Sequence, residues 1–213
     1  MASFLMAWIW NAVRLAGRHM PMMSWNLALA FVPLGLSCWL FQMSDGPRSA
    51  RWWFWAAAFV LFLPNAPSVL TDIVYLIQAI RFTDDSVWLI TLVLIPQFFI
   101  FISAGFFAYV FCLLNIGDYL RRYQMGRWIL PMELGSHLLC AVGIFLGRFM
   151  RLRSWDAFSH PSRLLAQTTR ALFEGWPLFV IGITFIVLVV LYALGKQAVL
   201  GWLREYPPVG SVS

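Results

Sequence analysis

Nine side chains in or beside long apolar runs have types that suit two kinds of chemistry. Arg148 and Arg151 could grip an anion, because a guanidinium offers paired donors that match a phosphate or a carboxylate. In Gly147-Arg148-Phe149-Met150-Arg151-Leu152-Arg153-Ser154-Trp155-Asp156, helical spacing puts Arg148, Arg151 and Trp155 on one face, with Asp156 beside them. Asn26, Asn65 and Asp72 add amide and carboxylate groups that could complete such a clamp, or let Asp72 or Asp156 act as acid or base. Glu133 and His137 lie one helical turn apart in another apolar run, a pairing suited to proton relay or substrate contact. Two ligand-type residues without a third do not make a metal site, so no metal is expected there.

Each of these residues also has a plainer reading. Asn26 could be a hydrogen bond between packed helices. Asn65 could cap the helix that follows it, with Pro67 in the first turn. The arginines could be a basic flank that fixes orientation and reaches for headgroups. Glu133 could be held near the interface, with His137 bonded to a neighbouring helix. Asp84 and Asp85 read as a solvated acidic turn.

The elements that must position these groups are membrane spans, each needing about 20 apolar residues. Five runs qualify: Ser24–Phe41, Trp52–Thr71, Val87–Ile116, Trp128–Gly147 and Trp176–Gly195. Trp52, Trp53 and Trp55 read as an interfacial aromatic belt, and Pro96 as a kink. The second run is interrupted at Leu63-Pro64-Asn65-Ala66-Pro67-Ser68. Trp52 to Pro64 rises about 18 Å, so the expectation is a helix that breaks about 10 Å short of the far edge of the hydrocarbon. Broken backbone at that depth must be buried in protein or line a wet cavity.

Two further segments are amphipathic. In the first, Ser68, Thr71, Asp72 and Tyr75 form a polar stripe opposite Val69, Leu70, Ile73, Leu76, Ile77 and Ile80. The second is Pro161–Phe173, and both are expected to lie along a membrane surface. The fold class is therefore an all-α membrane protein, a bundle of about five transmembrane helices with two amphipathic interfacial helices. Residues 1–21 read as an amphipathic interfacial segment or an extension of the first span. Residues 22–200 read as one transmembrane domain and 201–213 as a short polar tail. Arg14 and Arg18 follow the first apolar stretch, the reverse of a cleaved signal.

Connectivity then gathers the chemistry. The first span starts, and the second and fourth end, on the same side of the bilayer. That side holds 8 of the 15 basic residues, a weak lean towards its being cytoplasmic. Asn26, Asn65, Asp72, Arg148, Arg151 and Asp156 are expected to converge there, whereas Glu133 and His137 lie nearer the other side.

Composition agrees with a bilayer. Hydrophobic residues make up 62% of the 213 and charged ones 11%, against roughly 25% in soluble domains. The net charge of +6 is scattered over short loops, which suits anionic lipid headgroups and argues against nucleic acid as a partner. Cys38, Cys112 and Cys140 fall inside apolar runs and read as small hydrophobes. No phosphate loop, dinucleotide fingerprint, zinc-protease motif or serine elbow is present, so no cofactor is expected and the lean is away from an enzyme.

Three segments together resemble a family of bacterial integral membrane proteins, domain of unknown function 1361. They are Trp25-Asn26-Leu27 with Pro33, Leu63-Pro64-Asn65-Ala66-Pro67 with Thr71-Asp72, and Gly147-Arg148 with Arg151 and Ser154-Trp155-Asp156. The likeness spans roughly residues 20–195 and departs from the family pattern at Ser68, Tyr75 and Arg153. It implies this architecture in a bacterial cytoplasmic (inner) membrane, and no activity. The leading functional expectation is binding or transport of a small polar or anionic solute or a lipid headgroup, with homo-oligomers because five spans are few for a lone transporter. The alternatives are an enzyme acting on a lipid-linked substrate and a structural or assembly factor without chemistry.

Overall fold

The computed structural model describes residues 2–43, 48–82, 86–148 and 175–205. These residues form five helices long and apolar enough to cross a membrane: Met6–Met43, Ala50–Arg81, Val87–Arg122, Gly126–Arg148 and Trp176–Trp202. The molecule is a multi-pass, all-helical bundle. Large apolar side chains such as Trp10, Phe54, Phe99 and Ile186 are exposed on its outer surface, as a lipid solvent permits.

Helix α1 (Ala2–Ser37) runs without interruption past residue 21. It ends in a π-helical stretch, Cys38–Met43, a few residues after Pro33. A π turn leaves carbonyls out of the usual ladder. One of them, that of Phe41, accepts a hydrogen bond from the Arg122 guanidinium.

The second span departs most from expectation. It comprises α2 (Ala50–Phe62), α3 (Asn65–Ser68), a 3-10 turn Val69–Asp72 and α4 (Ile73–Arg81). Leu63, Pro64, Ser68, Val69, Asp72 and Ile73 all keep right-handed helical dihedrals. The expected break at Pro64 is therefore a tightened, irregular helix. A proline removes one donor, and shorter i→i+3 bonds re-satisfy the neighbours without reversing the chain. Ala66 N–H, for example, bonds the Leu63 carbonyl three residues back. The first amphipathic segment is accordingly continuous with the span. Its polar Asp72 is buried, while Ile73, Val74, Ile77 and Ile80 are exposed. A surface helix would turn its charges to water, whereas this one turns them into the bundle. The second amphipathic segment, Pro161–Phe173, lies outside the described residues.

The third span also pairs a π stretch with a proline, in the reverse order. A short α5 (Val87–Leu89) leads into a π stretch, Ile90–Leu94, immediately before Pro96, and the long helix α6 (Ile95–Arg122) follows.

Two glycines bring the irregular segment close to its neighbours. A Cβ on Gly143, in α7 (Ile129–Arg148), would lie 2.6 Å from Pro64 Cβ. One on Gly105, in α6, would lie 2.9 Å from a methyl of Val69. Close backbone approach at small residues is the usual basis of helix association in lipid. The last described helix, α8 (Gly175–Glu205), packs on α7 and α6.

Candidate functional site

Three spans meet at Asp72. Its carboxylate is fully buried, with 0% exposure. Asn26 Nδ2 from α1 donates to Oδ2 at 2.9 Å. The Arg148 guanidinium, at the end of α7, donates through Nη2 to Oδ1. Arg148 Nε donates to Thr71 Oγ1 at 2.6 Å, and Nη1 donates to the Tyr75 hydroxyl at 2.9 Å. The Arg148 guanidinium carbon also lies 5.0 Å from the Tyr75 ring centroid, within cation–π range. A lone carboxylate in this environment would be costly, and the pairing with arginine and amide makes it tolerable.

The kinked segment shapes this seat. Asn65 Nδ2 donates to the Phe62 carbonyl at 3.1 Å, Ser68 Oγ to the Asn65 carbonyl at 2.8 Å, and Thr71 Oγ1 to the Ser68 carbonyl at 2.6 Å. Each bond reaches back three residues, so Asn65, Ser68 and Thr71 form one polar row along a tight helix. The row ends at Thr71, whose oxygen also accepts from Arg148. The cap reading of Asn65 needs correction: Pro64 holds the cap position without a side-chain bond, and Asn65 Nδ2 bonds a carbonyl that the irregular turn frees.

The structure thus joins Asn26, Asp72 and Arg148 directly and holds Asn65 two turns away on the same segment. Arg151, Trp155, Asp156 and the acidic turn at Asp84 and Asp85 lie outside the described residues. Thr71 and Tyr75 complete the arginine's coordination. The sequence carries them as members of a polar stripe, with no spacing that ties them to Arg148.

A second polar cluster lies near the start of α7. Glu133 Oε1 accepts from Tyr192 OH at 2.7 Å and from Lys196 Nζ at 2.5 Å. His137 takes different partners: its Nδ1 shares a 2.5 Å hydrogen bond with Tyr109 OH. The His137 and Tyr192 ring centroids are 4.9 Å apart, so the two pairs touch through their rings. Nothing in the sequence singles out Lys196 and Tyr192, since a lysine at the end of a span reads as an orientation flank. A third cluster joins the first and third spans, where Asn115 bonds both Ser37 (2.9 Å) and Gln42 (2.6 Å). Among the described residues no three His, Cys, Asp or Glu side chains are placed to hold a metal ion.

In comparison with known proteins, residues 25–190 match a family model described as "Protein of unknown function (DUF1361)". No curated protein and no solved structure matches the chain.

Proposed function

This chain belongs to the DUF1361 family of proteins of unknown function, and from its own geometry we propose that it binds an anionic group at Arg148. The observation that carries the proposal is an unequal burial. Asp72 is wholly enclosed, while the Arg148 side chain keeps 28% of its surface exposed. A guanidinium has five N–H donors. Three are engaged within the chain by Thr71, Tyr75 and Asp72, which leaves one N–H each on Nη1 and Nη2 without a partner among the described residues. Two such donors match the paired oxygens of a phosphate or carboxylate. Thr71 and Tyr75 hold the fork in one orientation, which lowers the ordering cost of binding. The anion belongs to a lipid headgroup or to a small solute, and both present the same chemistry to Arg148. The reading sets the protein in a bacterial inner membrane, where anionic headgroups are at hand.

Asp72 is better suited to be a counter-ion than a general base, because Arg148 engages one of its oxygens and Asn26 the other. That favours binding over catalysis on a lipid-linked substrate.

The test is native mass spectrometry of the full chain in detergent, titrated with an anionic phospholipid, a zwitterionic one of the same acyl length, and inorganic phosphate. Wild type is expected to retain the anionic lipid or the phosphate, and Arg148→Lys to weaken that binding about tenfold, since an ammonium keeps the charge but lacks the fork. Equal affinity in both proteins would reject the site. The cluster would then be a fastener between spans, the second reading, which the closed bonding of Asp72 supports.

A further inference from the structure

The geometry points to a second, separate site: Glu133 and Lys196 form a proton-exchange site in the bundle, reached by water through a crevice between the third, fourth and fifth spans. It lies 15 residues before Arg148 on α7, about 22 Å of helix rise, and does not depend on the anion reading.

The first support is the crevice itself. A cavity of about 60 Å³ is lined by Leu113, Gly117, Asp118, Arg121, Glu133 and Lys196, among others. About 10–15 Å³ of such space is enough to hold one water, so the cavity has room for water, and polar groups at both ends would hold it. The mouth carries Asp118 and Arg121, each 61% exposed and 3.8 Å apart. The floor carries Glu133 and Lys196, of which Glu133 is buried and Lys196 a quarter exposed. Charged groups thus run from the surface to the floor.

The second support is how Glu133 is bonded. Both of its hydrogen bonds fall on Oε1. Among the described residues no donor reaches Oε2, which leaves that oxygen to take a proton. The groups around it are Tyr192 and Lys196 from α8, Asp118 and Arg121 from α6, and His137 on its own helix, with Tyr109 behind His137. In the exchange a hydronium ion in the crevice gives its proton to Oε2 and is left as water. The carboxylate charge is lost, and the Lys196 ammonium is left without its anion. The charge of the site therefore changes by one, and the Tyr192 hydroxyl keeps its bond to Oε1 in either state. A helix contact serving only as glue needs neither a water path nor a free carboxylate oxygen.

The test uses the full chain in lipid vesicles. Dicyclohexylcarbodiimide enters lipid and reacts with protonated carboxyls, and peptide mapping reads its attachment to Glu133 over a pH series. Labelling is expected to fall at least fivefold from acidic to alkaline medium, and to be lost in Glu133→Gln. Water access is read at Gly117→Cys, with the three native cysteines replaced by alanine. Gly117 lines the crevice, and a Cβ there would meet nothing nearer than 3.9 Å, so the variant fits. A membrane-impermeant methanethiosulfonate is expected to modify it from one side only. Labelling of Glu133 that ignores pH, or is absent in wild type, would overturn the site. So would a thiol in the Gly117→Cys variant that the reagent reaches from neither side.

Discussion

At the scale of single residues the Asp72–Arg148 pair is the most consequential contact. A buried ion pair contributes little net stability against an apolar replacement, but removing one partner strands the other charge. Arg148→Ala is therefore expected to cost about 3–5 kcal/mol, with Asp72 left buried and only Asn26 to bond it. Asp72→Asn combined with Arg148→Gln is expected to return at least half of that loss, because neither side chain then carries charge. Chemical unfolding of the purified protein in detergent measures both. Equal losses in the single and double variants would show that charge stranding is not the cause. The members of this cluster and of its neighbour at Glu133 are legible in the sequence to different degrees. Asn26, Asp72 and Arg148 stand out because a polar group in an apolar run is expensive. Thr71, Tyr75, Tyr192 and Lys196 do not. Hydroxyls can satisfy themselves on their own helix, as Thr71 does on Ser68, and a lysine at a helix end is ordinary. Only tertiary packing decides that they turn to an ion.

At the scale of elements the irregular segment of the second span depends on the helices that receive it. Prolines 64 and 67 announce the irregularity in the sequence. Its form is not legible there, because proline chemistry says that a donor is missing and not how the neighbours compensate. The receiving glycines are not legible either. Gly143 and Gly182 look alike in an apolar run, yet a Cβ on Gly143 would lie 2.6 and 2.8 Å from Pro64 atoms, while one on Gly182 meets nothing within 4 Å. Gly143→Ala is expected to push α7 off the kink and cost about 1–3 kcal/mol, as overpacking does. Gly182→Ala is expected to stay within about 0.5 kcal/mol of wild type. Thermal unfolding of the two variants side by side separates packing at the kink from any general effect of filling a helix glycine. Because Arg148 lies five residues beyond Gly143, the displacement is also expected to loosen the Arg148–Asp72 contact.

At the scale of the whole molecule, the five candidate spans among the described residues fix the expected side of each described helix end. With all five crossing, the first described helix starts on one side of the bilayer and the last ends on the other. This much is readable from the spacing of apolar runs, since length and hydrophobicity alone set a span. The continuity of residues 50–81 is not, because an amphipathic stretch after a proline pair reads equally as a surface helix. Single cysteines in a background without Cys38, Cys112 and Cys140 test it. Ser49→Cys and Tyr123→Cys are expected to react with an impermeant maleimide from one side of sealed vesicles, and Phe82→Cys from the other. All three positions lie at the ends of described helices, and Tyr123 and Phe82 are exposed. Should Ser49 and Phe82 react from the same side, residues 50–81 would not cross. Asp72 would then share a leaflet with the start of α2, and the fourth span would end on that side too, so Arg148 would follow Asp72 while Asn26, nearer the start of the first span, would be left behind. The meeting of Asn26 with Asp72 therefore stands or falls with the sidedness of Phe82.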